Sequence, residues 1–154
     1  MCRPARRLCA LAARFPADIL ALMARLSIAG VFWRSGQTKV DGFHVTDAAL
    51  YLFETDYRLP VLSPWLAAHL AAVSEHLFPA LLVAGLLSRL SALALLAMTL
   101  VIEVFVYPDA WPVHGTWAVC LLVILSGGPG RFSLDALLAR RCPARPVETT
   151  PDSG

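Results

Sequence analysis

The sequence predicts an all-α integral membrane protein: a four-helix bundle with both termini in the cytoplasm and a short interfacial helix in its first outer loop. Three observations point there. Of the 154 residues 58% are hydrophobic and only 16% charged, against about 25% charged in soluble domains, and the mean hydropathy is +0.65. The apolar residues gather in runs close to the roughly 17–25 residues a helix needs to cross a bilayer. Within those runs, as in "LLVAGLLSRLSALALLAMTLVI", apolar and polar residues do not alternate as barrel strands would, and in lipid the remaining way to satisfy the backbone is a helix. A net charge of +2 gives no footing for nucleic-acid binding.

The chain opens with "MCRPARRLCALAARFP". Its apolar stretch, Leu8 to Ala13, is cut short by Arg14, so positions 1–14 read as a basic cytoplasmic tail and not as a cleaved signal peptide. Cys2 has no apolar segment before it and is no lipoprotein signal. The four-helix domain then occupies 15–139. Its helices are expected from Phe15 to Trp33, Ser63 to Leu87, Leu90 to Tyr107 and Trp111 to Gly127. In the first loop, Thr46 and Asp47 are capping residues for "TDAALYLFETDY", where Leu50, Tyr51, Phe53 and Tyr57 have helical spacing. Gly127 to Gly130 break the fourth helix, and Ser133 caps a short amphipathic turn carrying Phe132, Leu134, Leu137 and Leu138. Positions 140–154, with the Pro-rich "CPARPVETTPDSG", read as a disordered cytoplasmic tail.

Lys and Arg set the expected orientation. Arg3, Arg6, Arg7 and Arg14 precede the first helix, Arg89 sits between the second and third, and Arg131, Arg140, Arg141 and Arg145 follow the fourth. The opposite connections carry Asp41, Asp47, Glu54, Asp56 and Asp109. The positive-inside rule then places both termini in the cytoplasm, with the chain crossing the membrane several times. Cys2, Cys9 and Cys142 fall on the reducing side and Cys120 within the fourth helix, so no disulfide framework or C-x-x-C chemistry is expected.

Polar residues inside the spans hold the functional interest, because a charge at mid-membrane costs about 2.5–3.5 kcal/mol on insertion scales and needs a partner. Arg25 and Glu75 lie near the middle of antiparallel helices, and an Arg25–Glu75 ion pair is the simplest way to satisfy both. His69 and His76, seven residues apart, share a face. Glu103 lies about one turn below the outer end of the third helix, near the depth of His69, while His114 opens the fourth helix and Arg34 closes the first. Arg34, His69, Glu103 and His114 are thus a candidate outer-leaflet polar pocket, framed by Trp33, Trp111 and Trp117. Two His and a Glu suit a metal; the same set suits the carbonyls of a quinone head group; it is equally consistent with a polar network that satisfies itself, Glu103 being balanced by Arg34 or a neighbouring His. No metal is assigned, and no catalytic residue.

"RLSIAGVFWRSGQTKV", "AAVSEHLFPALLVAGLLSRLSALALLAMTL" and "GPGRFSLDALL" together resemble the DoxX family of small bacterial membrane proteins, over about Ile19 to Leu138. The matching positions are Arg25, Gly36, Lys39, Glu75, the Gly85–Leu86 to Arg89 turn, and the Gly-Pro-Gly and Ser-Leu-Asp exit. "LFETDYRLPVLSPWLAAHLA" and "VIEVFVYPDAWPVHGTWA" are most similar to members encoded with maturation systems for small copper-binding, bufferin-type peptides. The resemblance implies a four-helix bundle in the bacterial inner membrane, with links to membrane oxidoreductase subunits, to copper and to oxidative stress. It supplies no catalytic constellation. Two functions follow as expectations: a quinone-linked redox subunit with an outward-facing polar pocket, or a non-catalytic membrane anchor for a periplasmic maturation or export system. Either implies a protein partner in the membrane or periplasm. With no C-x-x-C-H and no set of four Cys ligands, the electrons of the first would come from a partner or the quinone itself.

Overall fold

The computed structural model describes residues 16–57 and 59–141. The tail at 1–14, Cys2, Cys9 and positions 142–154 lie outside the described residues, whereas Arg140 and Arg141, expected in the tail, still belong to the last helix. The element order is α1 (Ala17–Gln37), a two-stranded hairpin of β1 (Val40–Asp41) and β2 (His44–Val45), α2 (Asp47–Thr55), α3 (Pro64–Ala84), α4 (Ser88–Phe105), α5 (Trp111–Gly127) and α6 (Leu134–Arg141). The helix α2 is capped as its sequence suggests, Thr46 Oγ1 accepting from Ala49 N at 3.2 Å.

Helices α1, α3 and α4 are each long and apolar enough to cross a membrane, and α5 is a shorter apolar helix of 17 residues. They close into a ring in which α1 packs on α3 and α5, and α4 packs on α3 and α5. The core runs through Ile28, Phe32, Leu82, Leu95, Leu121 and Ile124, with Phe53 packing on Ala67 and Ala68 beneath α2. The outside is as apolar as the inside: Leu20, Met23, Val73, Leu77, Leu93, Leu100 and Val104 are exposed, while Arg25, Lys39, Glu75, Thr99 and His114 are buried. Water would penalise that surface; a bilayer solvates it.

At the end where α3 gives way to α4, Arg25 is the organising group. It is 1% exposed, and its guanidinium donates to Leu82 O at 2.7 Å, Val83 O at 3.0 Å, Pro129 O at 2.8 Å and Phe132 O at 2.9 Å. These are carbonyls at the C-terminus of α3 and in the exit loop, where a cation is favoured by the helix dipole and unpaired C=O groups need donors. Gly85, at φ 70°, lets Ser133 and Arg25 close in: a Cβ there would lie 2.5 Å from Ser133 Cβ and 2.8 Å from Arg25 Nη2. Leu87 adopts a left-handed φ of 49°, which costs a non-glycine residue about 1–2 kcal/mol. Asp135 offsets it by accepting from Leu87 N and Ser88 N, each at 2.9 Å, and so caps α4 from the segment that follows α5.

The expected Arg25–Glu75 ion pair is therefore not formed. Arg25 is level with Leu82 on α3, and Glu75 is level with Gly36. The eleven positions from Arg25 to Gly36 span about 16 Å of helix, too far for any side chain to bridge.

Candidate functional site

The partner of Glu75 is Lys39. After α1 ends at Gln37, the chain turns tightly, with Lys39 N donating to Gly36 O at 2.9 Å, and the lysine folds back over α3. Its Nζ lies 2.8 Å from Glu75 Oε2 and 3.1 Å from Oε1, and it also donates to Ser35 Oγ at 2.9 Å and Ser35 O at 3.3 Å. The two side chains are 8% and 4% exposed. Two sequence features make room for this. Gly36 permits the close approach of α1, since a Cβ there would fall 2.7 Å from His76 Cε1 and 3.1 Å from Glu75 Cβ. Pro79, inside α3, has no N–H to return to the carbonyl of Glu75, one turn earlier.

The ion pair forms the polar corner of a cavity of about 260 Å³. Phe32, Ala71, Met98, Ile102 and Trp117 make apolar walls between α1, α3, α4 and α5, and Phe53 and Tyr57 bring the α2 segment over it. Tyr57 lines the cavity and is backed by Tyr107, their hydroxyls 3.3 Å apart and their rings edge-to-face at 5.7 Å. Burial first, and then the bond to Tyr107, raise the Tyr57 phenol above its ordinary value. Among the described residues the enclosure is mostly apolar with a charged corner, which suits a ligand with an apolar body and one polar end.

Of the four residues expected to share a pocket, the structure brings two together. Glu103 Oε2 and His114 Nδ1 are 2.5 Å apart. His114 also packs on Trp117, ring centroids 4.8 Å apart, so the pair stands behind one cavity wall and not in the cavity. His69 instead stacks on Trp65 at 4.0 Å, its Nδ1 2.8 Å from Trp65 O. Arg34 lies exposed on the outside of α1, lining a groove with Trp33 and Pro79. Neither bonds to Glu103, so the four-residue pocket is corrected to a pair. Among the described residues no three His, Cys, Asp or Glu side chains converge on a point where a metal would sit, and the ligand set of two histidines and Glu103 is not assembled. Of the three framing tryptophans, Trp117 lines the cavity, Trp33 meets His76, and Trp111 is exposed.

The residue missed as a site is Lys39, which had entered only as a position of the family pattern. Its signal was a lysine placed directly after the polar end of an apolar helix, three residues beyond a glycine.

The family model described as DoxX matches residues 20–108. That span contains Arg25, Gly36, Lys39, Glu75 and Glu103 and stops before His114 and the exit loop. The chain is also similar to an uncharacterized protein of Haemophilus influenzae, with 29% identity over an aligned stretch of 133 positions; the match covers 80% of this chain and 86% of the relative. No solved structure matches it.

Proposed function

We propose, for a chain that belongs to the DoxX family and is a membrane protein, that its cavity holds the ring end of a membrane quinone and that the protein is the quinone-binding part of a redox system. The observation that carries this is the buried Lys39–Glu75 pair at a charged corner of a cavity whose other described lining is mostly apolar. The volume of about 260 Å³ is just below the roughly 300–1,000 Å³ of pockets that take drug-sized ligands. A ring fits; a long isoprenoid tail must leave between the helices into the bilayer.

A quinone bound there supplies two-electron, two-proton chemistry, the electrons coming from a redox partner. Lys39 has its weakest contact at 3.3 Å, to Ser35 O, and that is the contact a ligand carbonyl would most easily replace. Glu75, held by the same ammonium, is placed to accept or return a proton at its carboxylate. Phe32, Met98 and Trp117 keep water from the ring, and Tyr57, held by Tyr107, stands over it. We take the protein to lie in the bacterial inner membrane with its termini inside. Arg89, Arg131, Arg140 and Arg141 stand at the end of Gly85 and Gly128, and Asp41, Asp47, Asp56 and Asp109 at the cavity end. The cavity then faces the periplasmic half. A second reading, a non-catalytic anchor for a periplasmic maturation or export partner, is favoured by Phe43, Tyr51 and Val61, which stand exposed at that end.

The test is mass spectrometry of solvent extracts from protein purified with its native lipid, beside Lys39→Met/Glu75→Leu, which removes both charges and keeps the volume. Stoichiometric quinone in the wild type and its loss in the double variant are expected. Phospholipid alone in both would end the quinone reading and leave the anchor.

A further inference from the structure

We infer that the groove on the outside of α1 and α3 is a phospholipid site, in which Arg34 holds the phosphate and one acyl chain lies along the two helices. The groove encloses about 500 Å³ and is lined by Leu26, Gly30, Trp33, Arg34, Pro79 and Val83, among others. Positions 26, 30, 33 and 34 stack on one face of α1 and lead about 12 Å up the helix to the guanidinium. Its floor is open at Gly30, where an added Cβ would meet nothing within 4 Å.

Charge selects the head. Among the described residues of the cavity end the cations are Arg34 and Lys39. Lys39 is buried against Glu75, whereas Arg34 is exposed and has no hydrogen-bond or ion-pair partner among the described residues. An arginine at the end of an apolar helix extends its charge to the interface while its stem stays in the apolar layer, and its planar fork matches a phosphate. Trp33 beside it, with its ring 5.1 Å from His76, has the amphipathic character of residues at head-group depth. A second copy of this chain fits less well. Seating it would require an acidic side chain on a membrane-facing helix surface, and that surface carries Leu70, Val73, Leu77, Leu93, Leu100 and Val119.

The test is native mass spectrometry of the full chain released from native-lipid particles, comparing wild type, Gly30→Leu and Arg34→Gln. Leucine fills the groove and is a better helix former than glycine, so that variant keeps its fold, which thermal unfolding checks. One retained phosphorus-containing lipid on the wild type, lost in both variants while cavity-bound quinone is unchanged, is the expected result. Three results would overturn the site: equal lipid retention in Gly30→Leu, a retained molecule without phosphorus, or a dimer that the two variants dissociate without loss of lipid mass.

Discussion

Lys39 and Glu75, thirty-six positions apart, meet at 2.8 Å with both side chains almost removed from solvent. A buried pair of this kind is costly to half-break, because the remaining charge keeps its desolvation penalty without compensation, about 3–5 kcal/mol. Lys39→Met or Glu75→Leu alone should therefore lower thermal stability in detergent sharply. Lys39→Met/Glu75→Leu together should recover much of it, since a well-packed apolar replacement is often neutral. Additive losses in the double variant would mean that the two side chains are stabilised separately.

Arg25 should tolerate no substitute, lysine included. Its fork reaches four carbonyls on two segments, and an ammonium has neither the reach nor the planar geometry to serve them all. With hydrogen bonds to a charged group worth about 1.5–3 kcal/mol each, Arg25→Lys should cost at least one of them. Hydrogen exchange should speed up first at Gly128 to Ser133, where the exit loop depends on the guanidinium. Unchanged protection there would show that the loop is held by Asp18, which accepts from Arg131 N at 2.7 Å, and by Asp135.

Tyr57 offers a spectroscopic reporter of the cavity rim. Its phenol is raised by burial, then by Tyr107, with Glu75 and Asp56 adding to the effect. A phenol that keeps its proton longer when folded contributes stability that is fully present below its unfolded value of about 10 and is lost as pH rises through the folded value. In an absorbance titration near 295 nm the wild type should show a late phenolate step that Tyr57→Phe removes. Tyr107→Phe should shift that step down without abolishing it. A late step that survives Tyr57→Phe would assign it elsewhere.

How far the fold was legible depends on what sets each feature. Apolar runs located the helices, because length and lipid solvation are local properties of the chain. Their ends moved where backbone geometry overrode apolarity: α1 continues past Trp33 to Gln37, and α3 stops at Ala84 because Gly85 and Leu87 take left-handed φ values. The Glu103–His114 contact was within reach of the sequence, since α4 and α5 are consecutive helices joined by the short turn at 106–110, which fixes their register. The register of α1 on α3 was not. Positions 38–63 intervene, with a hairpin and α2 among them, and nothing local sets how far one helix slides along the other. That displacement separated Arg25 from Glu75, brought Lys39 to the carboxylate, and left Arg34 on the outside.

Glu103 gives the last prediction. It was the carboxylate expected to serve the pocket, yet it faces His114 behind Trp117 and does not line the cavity. Glu103→Ala should leave the His114 imidazole, 4% exposed, without its partner, at a cost of about 1–3 kcal/mol for an unsatisfied buried polar group. Glu103→Gln retains an acceptor for the ring and should cost less. Under conditions where both variants remain folded, ligand retained in the cavity should match the wild type, because Lys39 and Glu75 are untouched. Equal stability but lost ligand in Glu103→Gln would reverse this assignment: the Glu103–His114 pair would then be acting on the ligand through Trp117, and the functional site would extend behind that wall.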